Sequence, residues 1–168
     1  MASSVAMPWQ DLLRPCLVHT GPITGLDVEI LRAQGIRGTV LDVDDTLVPT
    51  HEEQLAPAVV AWVDQLKTLG PVWLVSNNLC TRRIQAIADQ LACPYIAGAA
   101  KPSRRKLRQA LQQMQLPPTQ TALIGDRRLT DILAGNRLGM YTVWVQPIAP
   151  PPWPALRNFE DWLIDRLL

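Results

Sequence analysis

Short apolar runs alternate along this chain with longer stretches of helical spacing. The runs that open 39–48 and that fill 72–75, 94–97, 121–124 and 141–145 are too short for helices and read as buried strands. Between them lie helical patterns. Residues 25–35 place Leu26, Ile30 and Ala33 on one face, with Gly35 as a stop. Residues 57–69 begin with Pro57 in the first turn, carry Val59, Val60, Trp62, Val63, Leu66 and Leu69, and end at Gly70. The stretch Thr81–Leu91 turns Ile84, Ile87, Ala88 and Leu91 inward. Ser103 can cap a helix over 103–115 with Leu107, Leu111 and Met114 inward, and Pro117-Pro118 blocks its continuation. A last helix over 130–138 ends at Gly139.

Strands alternating with helices predict an α/β fold, a Rossmann-like three-layer sandwich around a mainly parallel five-stranded sheet. The domain spans 25–146. Residues 1–24 read as an irregular arm, with Trp9, Leu12, Leu13, Leu17 and Val18 packing across the domain. Residues 147–168 read as a stiff proline linker, Pro150-Pro151-Pro152 and Pro154, followed by a helix with Leu156, Phe159, Leu163 and Leu167 on one stripe. That stripe is expected to dock on its own domain. Glu160, Asp161 and Asp165 outweigh Arg157 and Arg166, so it is not a basic membrane anchor. Trp62, Trp73 and Trp144 fit core positions, whereas Trp9 and Trp153 are expected to pin the arm and tail, as is Trp162.

Composition narrows the class. The chain has 168 residues, 48% hydrophobic, enough for one domain with a sizeable core. The net charge of +1 gives no sign of nucleic-acid binding. Cys16, Cys80 and Cys93 form no CxxC pair, which suggests free thiols in a reducing compartment, the cytoplasm or an organelle interior. No secretory signal is expected in 1–13 and no run is long enough to span a bilayer, so the protein is expected to be soluble or to sit on a membrane surface. His19 and His51 are isolated.

The chemistry concentrates at predicted strand ends, where open α/β sheets bind ligands. Asp42, Asp44 and Asp45 follow the first strand, with Thr46 beside them. Carboxylates so close repel one another and cost free energy to desolvate, and a divalent cation would relieve that cost. Period-two alternation puts Asp42 and Asp44 on one side of an extended segment. Ser76-Asn77 follows the second strand, Lys101 the third, and Gly125-Asp126 the fourth, with Asp131 shortly after. Cleaving a phosphomonoester needs a nucleophile, a proton donor and acceptor, and neutralisation of spreading negative charge. One carboxylate can attack while a second trades protons. Asp126 and Asp131 can complete a Mg²⁺ site, and Ser76 and Lys101 can hold phosphoryl oxygens.

In order, Asp42-Val43-Asp44-Asp45-Thr46, Ser76-Asn77, Lys101-Pro102 and Gly125-Asp126 with Thr130-Asp131 resemble the four motifs of haloacid dehalogenase-like (HAD) phosphatases, over residues 25–146. Leu13-Arg14-Pro15, the first motif extended through Pro49, and Thr130-Asp131-Ile132-Leu133-Ala134-Gly135-Asn136-Arg137 resemble the YqeG-like branch of subclass IIIA, a relative of phosphatidylglycerophosphate phosphatases. The resemblance implies Asp42 as nucleophile and Mg²⁺ ligand, and Asp44 as general acid/base with its backbone carbonyl on the metal. It implies Ser76, Asn77 and Lys101 for phosphate, Asp126 for Mg²⁺, and Thr46 and Asp131 in support. Asp45 departs from the asparagine frequent there, and its side chain is expected to point away from phosphate. The implied substrate is an anionic phospholipid headgroup. The segments 46–57 and 77–101 are too short for a cap domain, so an open mouth is expected. Arg82, Arg83, Lys101, Arg104, Arg105, Lys106, Arg108, Arg127 and Arg128 would surround it, although Arg105 and Arg108 also fit a plain solvated helix face.

Other readings fit less well. In a calcium loop, Leu47 would stand where glycine is needed. A phospho-receiver domain would need an aspartate after a later strand, where this chain has Ser76. A module that binds phosphorylated ligands without turnover keeps every residue but not the chemistry.

Overall fold

A computed structural model describes residues 8–150 and 154–167. The strands are β1 (Leu17–His19), β2 (Gly38–Leu41), β3 (Val72–Val75), β4 (Tyr95–Ile96), β5 (Thr121–Gly125) and β6 (Tyr141–Val145). They form one sheet in the order β1-β6-β5-β2-β3-β4, with every neighbouring pair parallel. The helices are α1 (Val28–Ala33), α2 (Pro57–Leu66), α3 (Thr81–Leu91), α4 (Arg105–Met114), α5 (Leu133–Asn136) and α6 (Pro154–Leu167).

The sheet has six strands, not five. The extra edge strand comes from the segment read as an irregular arm, where Leu17 pairs with Val143 and His19 with Val145. Three residues between Pro15 and Gly21 are too few to show a period, so only the neighbour β6 makes them a strand.

Alternation along the central strands divides the core in two. Leu41, Leu74, Ile124 and Val143 pack with Leu31, Val59, Val63, Leu66, Ile84 and Ile87 on one side. Val40, Val75 and Leu123 pack with Leu107, Ala110, Leu111 and Ala134 on the other. This double burial explains the unbroken apolar runs. Each fully buried Leu or Ile contributes about 1.5–3 kcal/mol. In α2, Trp62 adds a hydrogen bond from its indole Nε1 to the Leu26 carbonyl, at 2.7 Å.

Some helix details differ from the sequence reading. Asp27 caps α1 by accepting from Glu29 N, so the helix starts later and buries Val28 and Leu31 while Ile30 is exposed. Ser103 is not the cap residue of α4; Arg104 holds that position and Ser103 Oγ is 3.5 Å from Arg105 N. The helix predicted over 130–138 begins earlier, as a wide π-type turn over Arg128–Ile132 that passes into α5. The tail helix forms, but Phe159 and Leu163 of the expected docking stripe face solvent. It is held instead by Ile164, which is buried, and by charges: Arg127 pairs with Glu160, and Arg128 with Asp161 and Asp165. Apolar spacing marked the helix; of its stripe, Phe159 and Leu163 are exposed, and the side chains of Leu156 and Leu167 lie outside the described residues. Trp153 and part of the proline linker lie outside the described residues. No described helix is long and apolar enough to cross a membrane.

The chain leaves β2 towards β3 on one side and returns to β5 on the other. The carboxyl ends of β2 and β5 therefore border the crevice where open α/β sheets bind ligands. No domain is inserted in 46–56, nor in 77–101, which holds only α3 and β4.

Leu74 is fully buried in β3. Leu74→Ala is expected to lower the unfolding free energy by about 2–5 kcal/mol, read as a lower urea midpoint with unchanged slope.

Candidate active site

Asp42 leaves β2 at the centre of the sheet, its backbone N–H still bonded to the Ile124 carbonyl. The chain then turns sharply. Asp45 takes a positive φ of 60°, and its carboxylate accepts from Thr50 N at 3.1 Å and Thr50 Oγ1 at 2.9 Å. Asp45 is thus occupied in closing the loop. Thr46 is fully buried, with Oγ1 3.3 Å from Asp42 Oδ2 and 3.2 Å from Asp126 Oδ1, so one hydroxyl links the ends of β2 and β5.

Lys101 is the buried cation of this centre. Its Nζ lies 2.7 Å from Asp42 Oδ1 and 2.6 Å from Asp131 Oδ1. The backbone that delivers it is clamped by Asn77, whose Oδ1 accepts from Lys101 N at 2.6 Å and whose Nδ2 donates to Lys101 O at 3.0 Å. Asn77 therefore acts on Lys101 as well as lining the cavity. Burial alone would lower the Lys101 pKa, but the Asp131 and Asp42 carboxylates more than offset it and raise it.

Asp126 and Asp131 complete the acidic group. Asp42, Asp126 and Asp131 each place an oxygen within 4.8 Å of the others, and all three are buried. Gly125 makes this possible, because a Cβ there would stand 2.5 Å from Asp131 Cγ. Burial first, and the Asp42 charge next, push Asp126 up to about 7 and Asp131 up to about 6. Arg157 from α6 opposes the rise at Asp126 by pairing with its Oδ2. Crowded, desolvated carboxylates raised in this way fit a small divalent cation, which would favour their ionised forms.

Asp44 faces the same cavity with different partners. Ser76 Oγ donates to its Oδ2 at 3.1 Å, and Arg83 Nη1 to its Oδ1 at 2.5 Å. A cavity of about 210 Å³ is lined by Asp42, Asp44, Asp45, Thr50, Asn77, Lys101, Arg127 and Thr130. Residues from the ends of β2, β3 and β5 and from the loop after β4 thus meet in one place, as their order along the chain suggested.

The cationic rim forms only in part as expected, with Lys101 and Arg127 lining the cavity. Arg83 is buried against Asp44, Lys101 is buried among carboxylates, and Arg127 and Arg128 are paired with α6. Arg128 also stacks over Trp144, 4.0 Å from the ring centroid. Arg83 stands inside the site rather than at its rim, and Arg157 joins it from the tail helix, where no site role was expected. Arg83 lies four positions before Ile87 and next to Ile84, so helical spacing did put it on the inward face of α3. Nothing in the local sequence linked Arg157 to Asp126.

Comparison with known proteins shows the family. Residues 98–147 match the HAD-hydrolase-like family model. The chain is 35% identical over 122 residues to the probable phosphatase YqeG of Bacillus subtilis, covering 72% of this chain and 70% of that one. It belongs to the YqeG-like branch of the HAD family. It is a HAD-type phosphatase, a phosphoric monoester hydrolase. Phosphatidylglycerophosphate phosphatase 1, chloroplastic, of Chlamydomonas reinhardtii is 32% identical over 178 residues, covering 97% of this chain but 62% of that one. Among solved structures, the cobalt-bound deoxy-D-mannose-octulosonate 8-phosphate phosphatase of Haemophilus influenzae shares the fold. Its TM-score is 0.51 at 17% identity, over 79% of this chain and 89% of that one.

The raised carboxyls have a pH consequence. Their folded pKa values exceed the unfolded ones, so the folded HAD phosphatase holds more protons between about pH 4 and 7. Their contribution to stability falls as pH rises through that window. A divalent cation needs them ionised, so it is expected to raise the melting temperature more at pH 7.5 than at pH 5. Thermal melts with and without chelator check this, and a cation effect equal or larger at pH 5 contradicts it.

Proposed function

We propose that this phosphatase is Mg²⁺-dependent, works through an aspartyl-phosphate on Asp42, and acts on phosphatidylglycerophosphate. The observation that carries the chemistry is the meeting of Asp42, Asp126, Asp131 and Lys101 in one buried cluster, from which Asp42 and Lys101 open with Asp44 onto a small cavity.

In this reading an Asp42 oxygen attacks phosphorus as the ester bond breaks, and Asp44 hands a proton to the departing oxygen. Asp44 then takes a proton from water as that water attacks phosphorus and frees Asp42. Thr46 orients Asp42, while Lys101 pairs with it and meets the charge on the phosphoryl oxygens. Asp42, Asp126 and Asp131, with the Asp44 backbone carbonyl, would hold Mg²⁺, which would neutralise negative charge on the transferring group. Ser76 would support Asp44 and, with Asn77, border the phosphate.

The lipid substrate rests on other observations. The mouth carries no cap. The Chlamydomonas relative bears the name of a phosphatidylglycerophosphate phosphatase. Beside the cavity, α6 exposes Phe159, Trp162 and Leu163 at 56%, 53% and 40%, an apolar face suited to a bilayer interface. A protein resting there would receive the headgroup without extracting the lipid.

Asp42→Asn is expected to reduce turnover more than about a thousand-fold while the protein stays folded. Retained turnover contradicts the nucleophile. Phosphate release from vesicles of phosphatidylglycerophosphate is expected to exceed release from glycerol phosphate and aryl phosphates, and chelator to abolish it. A preference for the soluble esters overturns the lipid substrate and leaves the phosphatase.

A further inference from the structure

We infer that Arg83 is the positioning residue for the Asp44 carboxyl, fixing which of its two oxygens exchanges protons. The inference rests on the reading of Asp44 as the acid/base of this phosphatase.

Arg83 sits in the first turn of α3 and is 7% exposed. Its guanidinium donates in three directions. Nε reaches the Glu52 carbonyl at 2.9 Å, Nη2 the Pro49 carbonyl at 3.1 Å, and Nη1 Asp44 Oδ1 at 2.5 Å. A buried cation costs free energy unless it is paired. Docking of α3 does not call for one, because Ile84, Ile87, Ala88 and Leu91 already form its buried stripe. An aliphatic side chain at 83 would extend that stripe. The guanidinium instead ties the loop wall at 49–52 and the carboxyl of Asp44 into one unit. A planar fork can hold three acceptors in fixed directions, and a lysine ammonium at the same site cannot reproduce that geometry.

The two reacting carboxylates thus have separate cations. Asp42 has Lys101 and Asp44 has Arg83. With Oδ1 held by Arg83, Asp44 Oδ2, which accepts from Ser76, is the oxygen that carries the proton. In the first half-reaction the Oδ2 proton passes to the ester oxygen as the bond from phosphorus to that oxygen breaks and the Asp42–phosphorus bond forms. In the second, Oδ2 recovers a proton from water as the new oxygen–phosphorus bond forms and the Asp42–phosphorus bond breaks. The products are the free alcohol and phosphate. Without Arg83 the carboxyl can rotate, and the proton is no longer aimed at the leaving oxygen.

The test exploits leaving groups. An alkyl phosphate such as glycerol phosphate needs its departing oxygen protonated, whereas nitrophenyl phosphate releases a stable anion and does not. The first-turnover release of alcohol or nitrophenolate is measured for wild type, Arg83→Met and Arg83→Lys, alongside their melting temperatures. Arg83→Met is expected to lose about a hundred-fold or more on the alkyl ester, within the range typical of general acid catalysis, and only a few-fold on the aryl ester. Arg83→Lys, which keeps the charge without the fork, is expected to show the same selective loss to a smaller degree. It decides the matter if the methionine variant does not fold. Equal losses on both esters, or undiminished alkyl turnover, overturn the inference while leaving the phosphatase in place. Wild-type protein that turns over neither these esters nor phosphatidylglycerophosphate in vesicles overturns both.

Discussion

Three carboxylates share one buried space at the carboxyl edge of this sheet, and the rest of the centre is arranged around their repulsion. Asp42, Asp126 and Asp131 come from the ends of β2 and β5 and from the turn after β5. Each is out of water, where like charges repel far more strongly than at a surface. The fold contains this by importing cations from distant parts of the chain. Lys101 bridges Asp42 and Asp131, and Arg157 reaches Asp126 from the last helix. The compensation is partial, since Asp126 and Asp131 remain raised. A polar network serving stability alone has no reason to leave that charge uncompensated. A centre that receives a cation and a phosphoryl group, as proposed above, would.

Topology brings the group together. β2 pairs with β5 through Gly38–Leu41 in register with 121–124, so their ends lie side by side. Gly125 gives Asp131 the room to fold back towards Asp42, and the Thr46 hydroxyl spans the two strand ends. Asn77 and Arg83 act one step further out, the first on the Lys101 backbone and the second on Asp44. The groups proposed to react are thus held by strands and buried hydrogen bonds, and no domain is inserted in 46–56 or 77–101. On the β5 side α6 lies against the site, with Arg157 paired to Asp126, and is attached by ion pairs and one buried isoleucine.

Sequence reading worked wherever local chemistry had a local cause. Apolar runs marked β2, β3, β5 and β6 because both faces of these strands are covered. Aspartates after such runs marked the site, since strand ends in a parallel sheet converge on one edge. It failed where a long-range partner decided the outcome. Leu17–His19 is a strand only because β6 is beside it. The tail helix docks by Glu160, Asp161 and Asp165 on Arg127 and Arg128, a pairing that apolar spacing cannot reveal. Arg83 looked like a rim charge because arginine is rarely buried without a partner, and its partner lies 39 positions away.

In the chemistry proposed above, Asp42 becomes covalently phosphorylated during turnover. Acid quenching of the enzyme within the first turnover, in Mg²⁺ and with a phosphatidylglycerophosphate substrate, followed by peptide mass spectrometry, tests it directly. A single hydroxylamine-labile phosphoryl group is expected on the peptide that contains Asp42, absent in chelator and in Asp42→Asn. Turnover with the phosphoryl group on another residue, or with no covalent intermediate trapped at any time point, would contradict it.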